Sequence, residues 1–201
     1  MEIRYERKWK VPSNQFVFLN RALRESKFSF KEHFKERWVN SIYFDDMFNK
    51  SIYQNLDGIQ KKCKVRLRWY GNKNIITNPN IEIKKKNGFT VLKEKTKIVS
   101  NKKKITKNVL LDLTFKLKKK YPILLAFNPV SYTHYLRYYY ISQDQKVRAT
   151  IDKNISYRKI NNFTGSFSVK KDENIILELK YDRDHDTVVR NSFSKKKYFR
   201  E

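Results

Sequence analysis

One cysteine, four glycines, four prolines and three histidines are spread thinly through 201 residues, and each scarcity removes a class of chemistry. With Cys63 alone, neither an internal disulfide nor a multi-cysteine zinc site is available. His33, His134 and His185 are widely separated and fall in no HxxxH or HExxH pattern, so each reads as part of the fold. The few glycines make no P-loop, no dinucleotide fingerprint and no kinase-like loop, which leaves a nucleotide to be recognised by its phosphates. The longest apolar run, PILLAF, falls far short of the roughly 20 residues that span a bilayer. The opening MEIRYERKWKV has no apolar stretch of the kind a signal peptide carries. A cytoplasmic protein with no transmembrane segment is the expectation.

Acid is scarce too. Twenty Asp and Glu stand against 46 Lys and Arg, for a formal net charge of +26. Such a chain calls for a polyanionic partner: nucleic acid, an acidic membrane or a compact phosphate-rich substrate. A/T-rich codons raise lysine without any functional cause, so arginine placement says more than lysine number. Apolar residues at 39% and aromatics at 15% mark a globular chain, and its length suits a single domain over 1–201 with a substantial core.

What is abundant is alternation. In KCKVRLRWYG, Lys64, Arg66 and Arg68 alternate with Val65, Leu67 and Trp69, the pattern of a strand with one cationic and one apolar face. IRYERKWKV alternates likewise, with Arg7 the exception on its apolar side, and VNSIYFDD, NIEIKKKN, PVSYTHYLRYYYIS, KVRATIDKNISYR and ENIILELKYD read as further strands. Asn87 and Gly88 signal a hairpin, Asp45 and Asp46 a turn. Helices are expected over 13–25 with Ser13 as N-cap, over 101–120 with the stripe Ile105, Val109, Leu110, Leu113 and Leu117, and over 186–199. The order is α+β with a mostly antiparallel sheet. Charge recurs on one face of strand after strand: Glu6 with Lys8, Glu82 with Lys84, Arg148 with Asp152, and Glu178 with Lys180. Either the sheet is open and its charges meet water, or it closes as a barrel with the charges inside, where carboxylates and a bound anion must neutralise them.

YERKWKV, NSIYFDD, KVRLRWYG, IEIKKKNG, YLRYYY, VRATID and ILELKYD, taken in order, resemble the strand motifs of the VTC domain, the polyphosphate polymerase branch of the triphosphate tunnel metalloenzymes. The resemblance runs from about Arg4 to Tyr198. It implies an antiparallel β-barrel forming a tunnel, with flanking helices. It further implies transfer of the terminal phosphate of ATP to a growing polyphosphate chain, with Mn²⁺ or Mg²⁺ as cofactor. By the same resemblance Arg66, Arg68, Arg137, Arg148 and Lys180 would act on the transferred phosphate. Lys8, Lys84, Lys93 and Tyr135 would bind substrate, together with Lys195 or Lys197 in the tail. Glu178 would hold the metal, with Glu6 and Glu82 as further candidates. One departure separates this chain from the hydrolytic branch of the superfamily: an E-x-E-x-K opening is replaced by Arg4, Glu6, Lys8. Two other readings stay open. One is a tripolyphosphate or nucleoside triphosphate hydrolase; the other is a basic nucleic-acid-binding protein, although no RNA- or DNA-binding signature is present and no specific nucleic acid is expected. A membrane or regulatory partner protein is left unspecified.

Overall fold

The computed structural model describes residues 4–88, 90–98, 102–160 and 169–193. Their strands are β1 (Arg4–Pro12), β2 (Lys31–Asp45), β3 (Lys62–Tyr70), β4 (Ile75–Ile76), β5 (Asn80–Asn87), β6 (Thr90–Lys97), β7 (Lys103–Lys104), β8 (Asn128–Ile141), β9 (Arg148–Lys159), β10 (Val169–Lys171) and β11 (Asn174–Asp182). The helices are α1 (Phe16–Arg24), α2 (Lys50–Leu56), α3 (Lys107–Lys120) and α4 (Asp186–Phe193). Nine strands form one sheet in the order β1-β11-β9-β8-β2-β3-β5-β6, with β10 on β9, while β4 and β7 pair separately. The α+β class and the large antiparallel sheet are as expected; closure is not. Among the described residues no pairing joins β1 to β6, so the hydrogen-bond ladder is not that of a closed barrel. Alternation specifies which face of a strand is apolar and leaves open whether the sheet's edges meet.

The chain divides into two compact units, one from Met1–Arg37, Tyr135–Ser156 and Lys171–Glu201, the other from Trp38–His134 and Tyr157–Lys170. In the first, β1, β11 and β9 pair so that Trp9 lies opposite Leu177, and Leu177 opposite Ile151. This apolar face packs against Leu19 and Leu23 of α1 and Val189 and Phe193 of α4. The rings of Trp9 and Phe193 lie 6.0 Å apart. Each such side chain, fully buried, contributes about 1.5–3 kcal/mol. Arg7 is the polar intruder on this side. Its Nε donates to the Tyr181 hydroxyl at 2.8 Å and to Asp186 Oδ1 at 3.1 Å, fastening the first residue of α4 to β1. Burial opposes the charge of Asp186 less than the hydrogen bond from Arg7 favours it, so that carboxyl is held below its ordinary range. Ser13 does not cap α1; it begins a 3-10 turn after Pro12, and the α-helix starts at Phe16 without a side-chain cap.

In the second unit Ile42, Leu67 and Ile81 lie opposite one another across β2, β3 and β5, as do Phe44, Val65 and Ile83. Leu110, Leu113 and Leu117 of α3 cover them. The expected stripe holds from Val109 to Leu117, but Ile105 lies before the helix, which begins at Lys107, where the Thr106 hydroxyl accepts from Val109 N, because Lys103–Lys104 pair with Ile75–Ile76 as β7 and β4. Gly88, at φ 57°, supplies the left-handed residue of the β5–β6 hairpin. The closing helix is described through Phe193; Lys195 and Lys197 lie outside the described residues.

Candidate phosphate-binding faces

In the first unit the antiparallel register sets side chains, all but Ile176 polar, in three rows on the face away from the helices. Glu6 stands opposite Lys180 and Lys180 opposite Arg148; Lys8 opposite Glu178 and Glu178 opposite Thr150; Ile176 opposite Asp152. Lys180 Nζ reaches Glu178 Oε1 at 2.5 Å and Glu6 Oε2 at 3.7 Å. Lys8 Nζ reaches Glu6 Oε1 at 2.6 Å and Glu178 Oε2 at 3.4 Å. Two ammoniums thus bridge the same two carboxylates. Burial alone would raise the Glu178 carboxyl and lower the Lys8 ammonium, but the opposite charges outweigh it: Lys180 and Lys8 hold Glu178 below its ordinary value, and Glu178 and Glu6 hold Lys8 above its own. Arg137 spends both arms of its fork on Asp152, and its guanidinium carbon sits 5.2 Å from the centre of the buried Tyr135 ring. Tyr135 therefore supports Arg137 through its ring. Arg148 is exposed.

Thr150 was not singled out by the sequence. Its hydroxyl is buried with no hydrogen-bond partner among the described residues, in the row of Lys8 and Glu178. The same-face spacing of Arg148, Thr150 and Asp152 in VRATID was the available signal, hidden because threonine is also an ordinary strand residue.

The second unit carries a more cationic face. Tyr43 pairs with Arg66, Arg66 with Glu82 and Glu82 with Lys95, while Lys64 pairs with Lys84 and Lys84 with Lys93. Glu82, 6% exposed, accepts from Arg66 Nε at 2.8 Å and Nη2 at 2.6 Å, and its other oxygen lies 3.8 Å from Arg68 Nη1. Burial pushes this carboxyl up, yet Arg66 and then Arg68 prevail and hold it below its ordinary value. Arg66 also donates to the Tyr43 hydroxyl and Arg68 to Ser41 Oγ, two positioning contacts that the alternation of β3 could not disclose. Val65, Leu67 and Trp69 are buried on the opposite side, as expected. Lys64, Lys84 and Lys93 are exposed.

Among the described residues no three His, Cys, Asp or Glu gather as a metal-binding group. The donor chemistry of Glu6 and Glu178 nonetheless fits a hard divalent ion, since Mg²⁺ commonly takes one or two carboxylates and completes its shell with water and substrate phosphate oxygens. Glu82 turns both oxygens to arginines, as Glu6 and Glu178 turn theirs to Lys8 and Lys180, so at any of these carboxylates an ion would take the place of a cationic side chain.

These features are those of an α+β protein whose sheet sets a helix-covered apolar side against a charged side rich in paired cations. The chain belongs to the VTC domain family, whose model matches residues 3–200. No curated protein matches it. Among solved structures, a candidate adenylate cyclase from Bacillus halodurans superposes with a TM-score of 0.52 at 15% identity, covering 100% of this chain and 94% of that one. A candidate adenylyl cyclase from Hippeastrum, described as having a dominant triphosphatase activity, gives a TM-score of 0.48 at 13% identity, with 95% and 83% covered. A candidate adenylate cyclase from Vibrio parahaemolyticus gives 0.47 at 11% identity, with 93% and 81% covered. The first of these similarities speaks to the fold alone. Among the described residues no helix is long and apolar enough to cross a membrane.

Proposed function

We propose that this domain is a polyphosphate polymerase that takes the terminal phosphate of ATP. The observation that carries the reading is the pairing of cations with too few carboxylates on the charged strand face of the second unit of a VTC domain: Arg66 and Arg68 share Glu82, with Lys84 and Lys93 beside them. Glu82 orders its two arginines while leaving positive charge over, and phosphate oxygens are the ligand that supplies the balance. Arg66, Arg68, Arg137, Arg148 and Lys180 would act on the transferred phosphate, and Lys8, Lys84 and Lys93 would hold the rest of the substrate. A Mn²⁺ or Mg²⁺ on Glu178, with Glu6, would supply neutralising charge at the phosphoryl group.

Phosphoryl transfer asks mainly for positioning and electrostatic stabilisation. A terminal phosphate oxygen of the growing chain would attack the γ-phosphorus of ATP, the bond from that phosphorus to the β,γ-bridging oxygen would break, and ADP would leave with the electron pair. The attacking oxygen is already ionised, so no side chain has to remove a proton. A hydrolase must activate water instead, and the replacement of the first carboxylate of E-x-E-x-K by Arg4 weighs against that branch. Incubation with ATP and Mn²⁺ followed by gel analysis tests the reading. Long phosphate chains with stoichiometric ADP are expected; free phosphate alone would favour the hydrolase, and no turnover would return weight to binding of nucleic acid.

A further inference from the structure

We propose that the α2 segment, from Met47 to Lys62, docks the protein on an anionic lipid bilayer. Six large apolar side chains stand exposed within thirteen residues: Met47, Phe48, Ile52, Tyr53, Leu56 and Ile59, with Met47 at 79% and Phe48 and Leu56 at 72%. Exposed apolar residues scattered singly need no explanation, but a cluster does. Its presentation is fixed rather than floppy. Asp45 Oδ1 accepts from Asp46 N and Ser51 N and its Oδ2 from Ile52 N, while Asp46 Oδ1 accepts from Phe48 N and Lys50 N. With Asn49 in the left-handed conformation at φ 55°, these bonds fix Met47 and Phe48 at an exposed tip, the turn that precedes α2. On α2, Ile52 and Leu56 border a cavity of about 190 Å³ walled by Phe44, Val65 and Val130, with Lys64 also lining it.

The surrounding charge identifies the partner. Lys50 and Lys61 of the segment are exposed, as is Lys64, which lines the cavity with Ile52 and Leu56, whereas Asp45 and Asp46 are turned to backbone N–H groups, leaving Asp57 as the acid of the helix end. A second copy is disfavoured, because apposing these tips brings lysines together on chains of formal net charge +26. An anionic bilayer satisfies both features at once. Phe, Met and Leu side chains enter the boundary between headgroups and acyl chains, a Tyr lies at headgroup level, and lysines meet anionic headgroups. The inference is independent of the polymerase reading.

The test is co-sedimentation of the full chain with vesicles of phosphatidylcholine containing roughly 30% phosphatidylserine, against phosphatidylcholine alone. Binding to the anionic vesicles is expected, weakening as salt is raised. The paired substitution Met47→Ser and Phe48→Ser leaves net charge unchanged and lies on exposed side chains. It should lower partition by about tenfold or more, since each side chain loses an apolar burial. Leu111→Ser with Phe115→Ser, exposed on α3, should leave binding as it was. Phe48→Trp should give a blue-shifted emission quenched by spin-labelled lipid. Unchanged binding of the Met47 and Phe48 variant would show diffuse electrostatic adsorption and overturn the proposal, as would absence of binding by the unmodified chain. A concentration-dependent dimer by light scattering, abolished by Phe48→Ser, would assign the tip to contact between copies and overturn it equally.

Discussion

Arg137 holds Asp152 by two parallel hydrogen bonds, Nε to Oδ1 at 2.6 Å and Nη2 to Oδ2 at 2.7 Å. Burial would lower the guanidinium's proton affinity, but Asp152 overrides it and fixes the charge. A fork already closed on a carboxylate would offer phosphate its remaining N–H groups and its field, so in the proposed site this pair would order as much as bind. Asp152→Asn keeps the shape and leaves the guanidinium short of an anion. The expected loss is about 1.5–3 kcal/mol of stability, read as a thermal midpoint several degrees lower. An unchanged midpoint would mean the pair is neutral to folding.

Glu178→Gln should separate folding from chemistry. Glu178 sits between Lys180 and Lys8, so removing its charge leaves both ammoniums to Glu6 while keeping volume and one acceptor. With ATP and Mn²⁺, turnover should collapse and the apparent Mn²⁺ requirement should rise, while far-ultraviolet circular dichroism stays as in the parent. Full activity at the parent's Mn²⁺ concentration would remove Glu178 as the metal-holding residue.

How much of this could be read in the sequence follows from what period-two alternation encodes. It placed Lys64, Arg66 and Arg68 on one face and Val65, Leu67 and Trp69 on the other, and it picked out Glu178 and Lys180, because face assignment depends only on strand parity. It could not show that Arg66 bonds Glu82 or that Lys8 bonds Glu6 and Glu178. Those contacts arise from inter-strand register, which a single strand does not carry. Helix α2 escaped notice because seven residues with apolar side chains facing water lack the periodicity that marks a packed helix. The ladder's ends were equally illegible, since edge pairing is set by strand tilt and stagger rather than by composition.

Stability should fall on the acid side, and the sign follows from the carboxylates. Glu82 and Glu178 are both held below the ordinary value of 4.5, so the unfolded chain takes up their protons more readily than the folded one. Their contribution is present above that ordinary value and is lost as pH falls through the depressed folded values. Lys8 acts in the opposite sense, its contribution being present below 10.5 and lost as pH rises through its raised folded value. Urea midpoints across pH should therefore drop below about pH 4.5. Glu82→Gln should be less stable at neutral pH and show a shallower acid decline. A Glu82→Gln decline as steep as the parent's would exclude this carboxylate as a source.

Local grip and diffuse surface charge make different demands on salt. Arg66 is partly buried and fixed by Glu82 and Tyr43, and Arg148 is exposed in the row of Lys180 and Glu6. If each contacts a phosphate oxygen, Arg66→Ala or Arg148→Ala should cost roughly 1.5–3 kcal/mol, about a ten- to hundredfold loss in binding or transfer that persists at high salt. Arg66→Lys should recover little of it, because an ammonium lacks the planar fork that meets Glu82 on one side and can meet phosphate on the other. Lys107 and Lys119, exposed on α3, provide the contrast. Their neutralisation should slow capture of polyphosphate at low salt and leave saturated turnover nearly unchanged, since charges in water are screened beyond about 10 Å at 0.1 M ionic strength. The measurement is polyphosphate formation from ATP across a salt series for all of these variants. Equal losses that vanish together as salt rises would mean that the cations act as one undirected field, and would remove Arg66 and Arg148 from the proposed site.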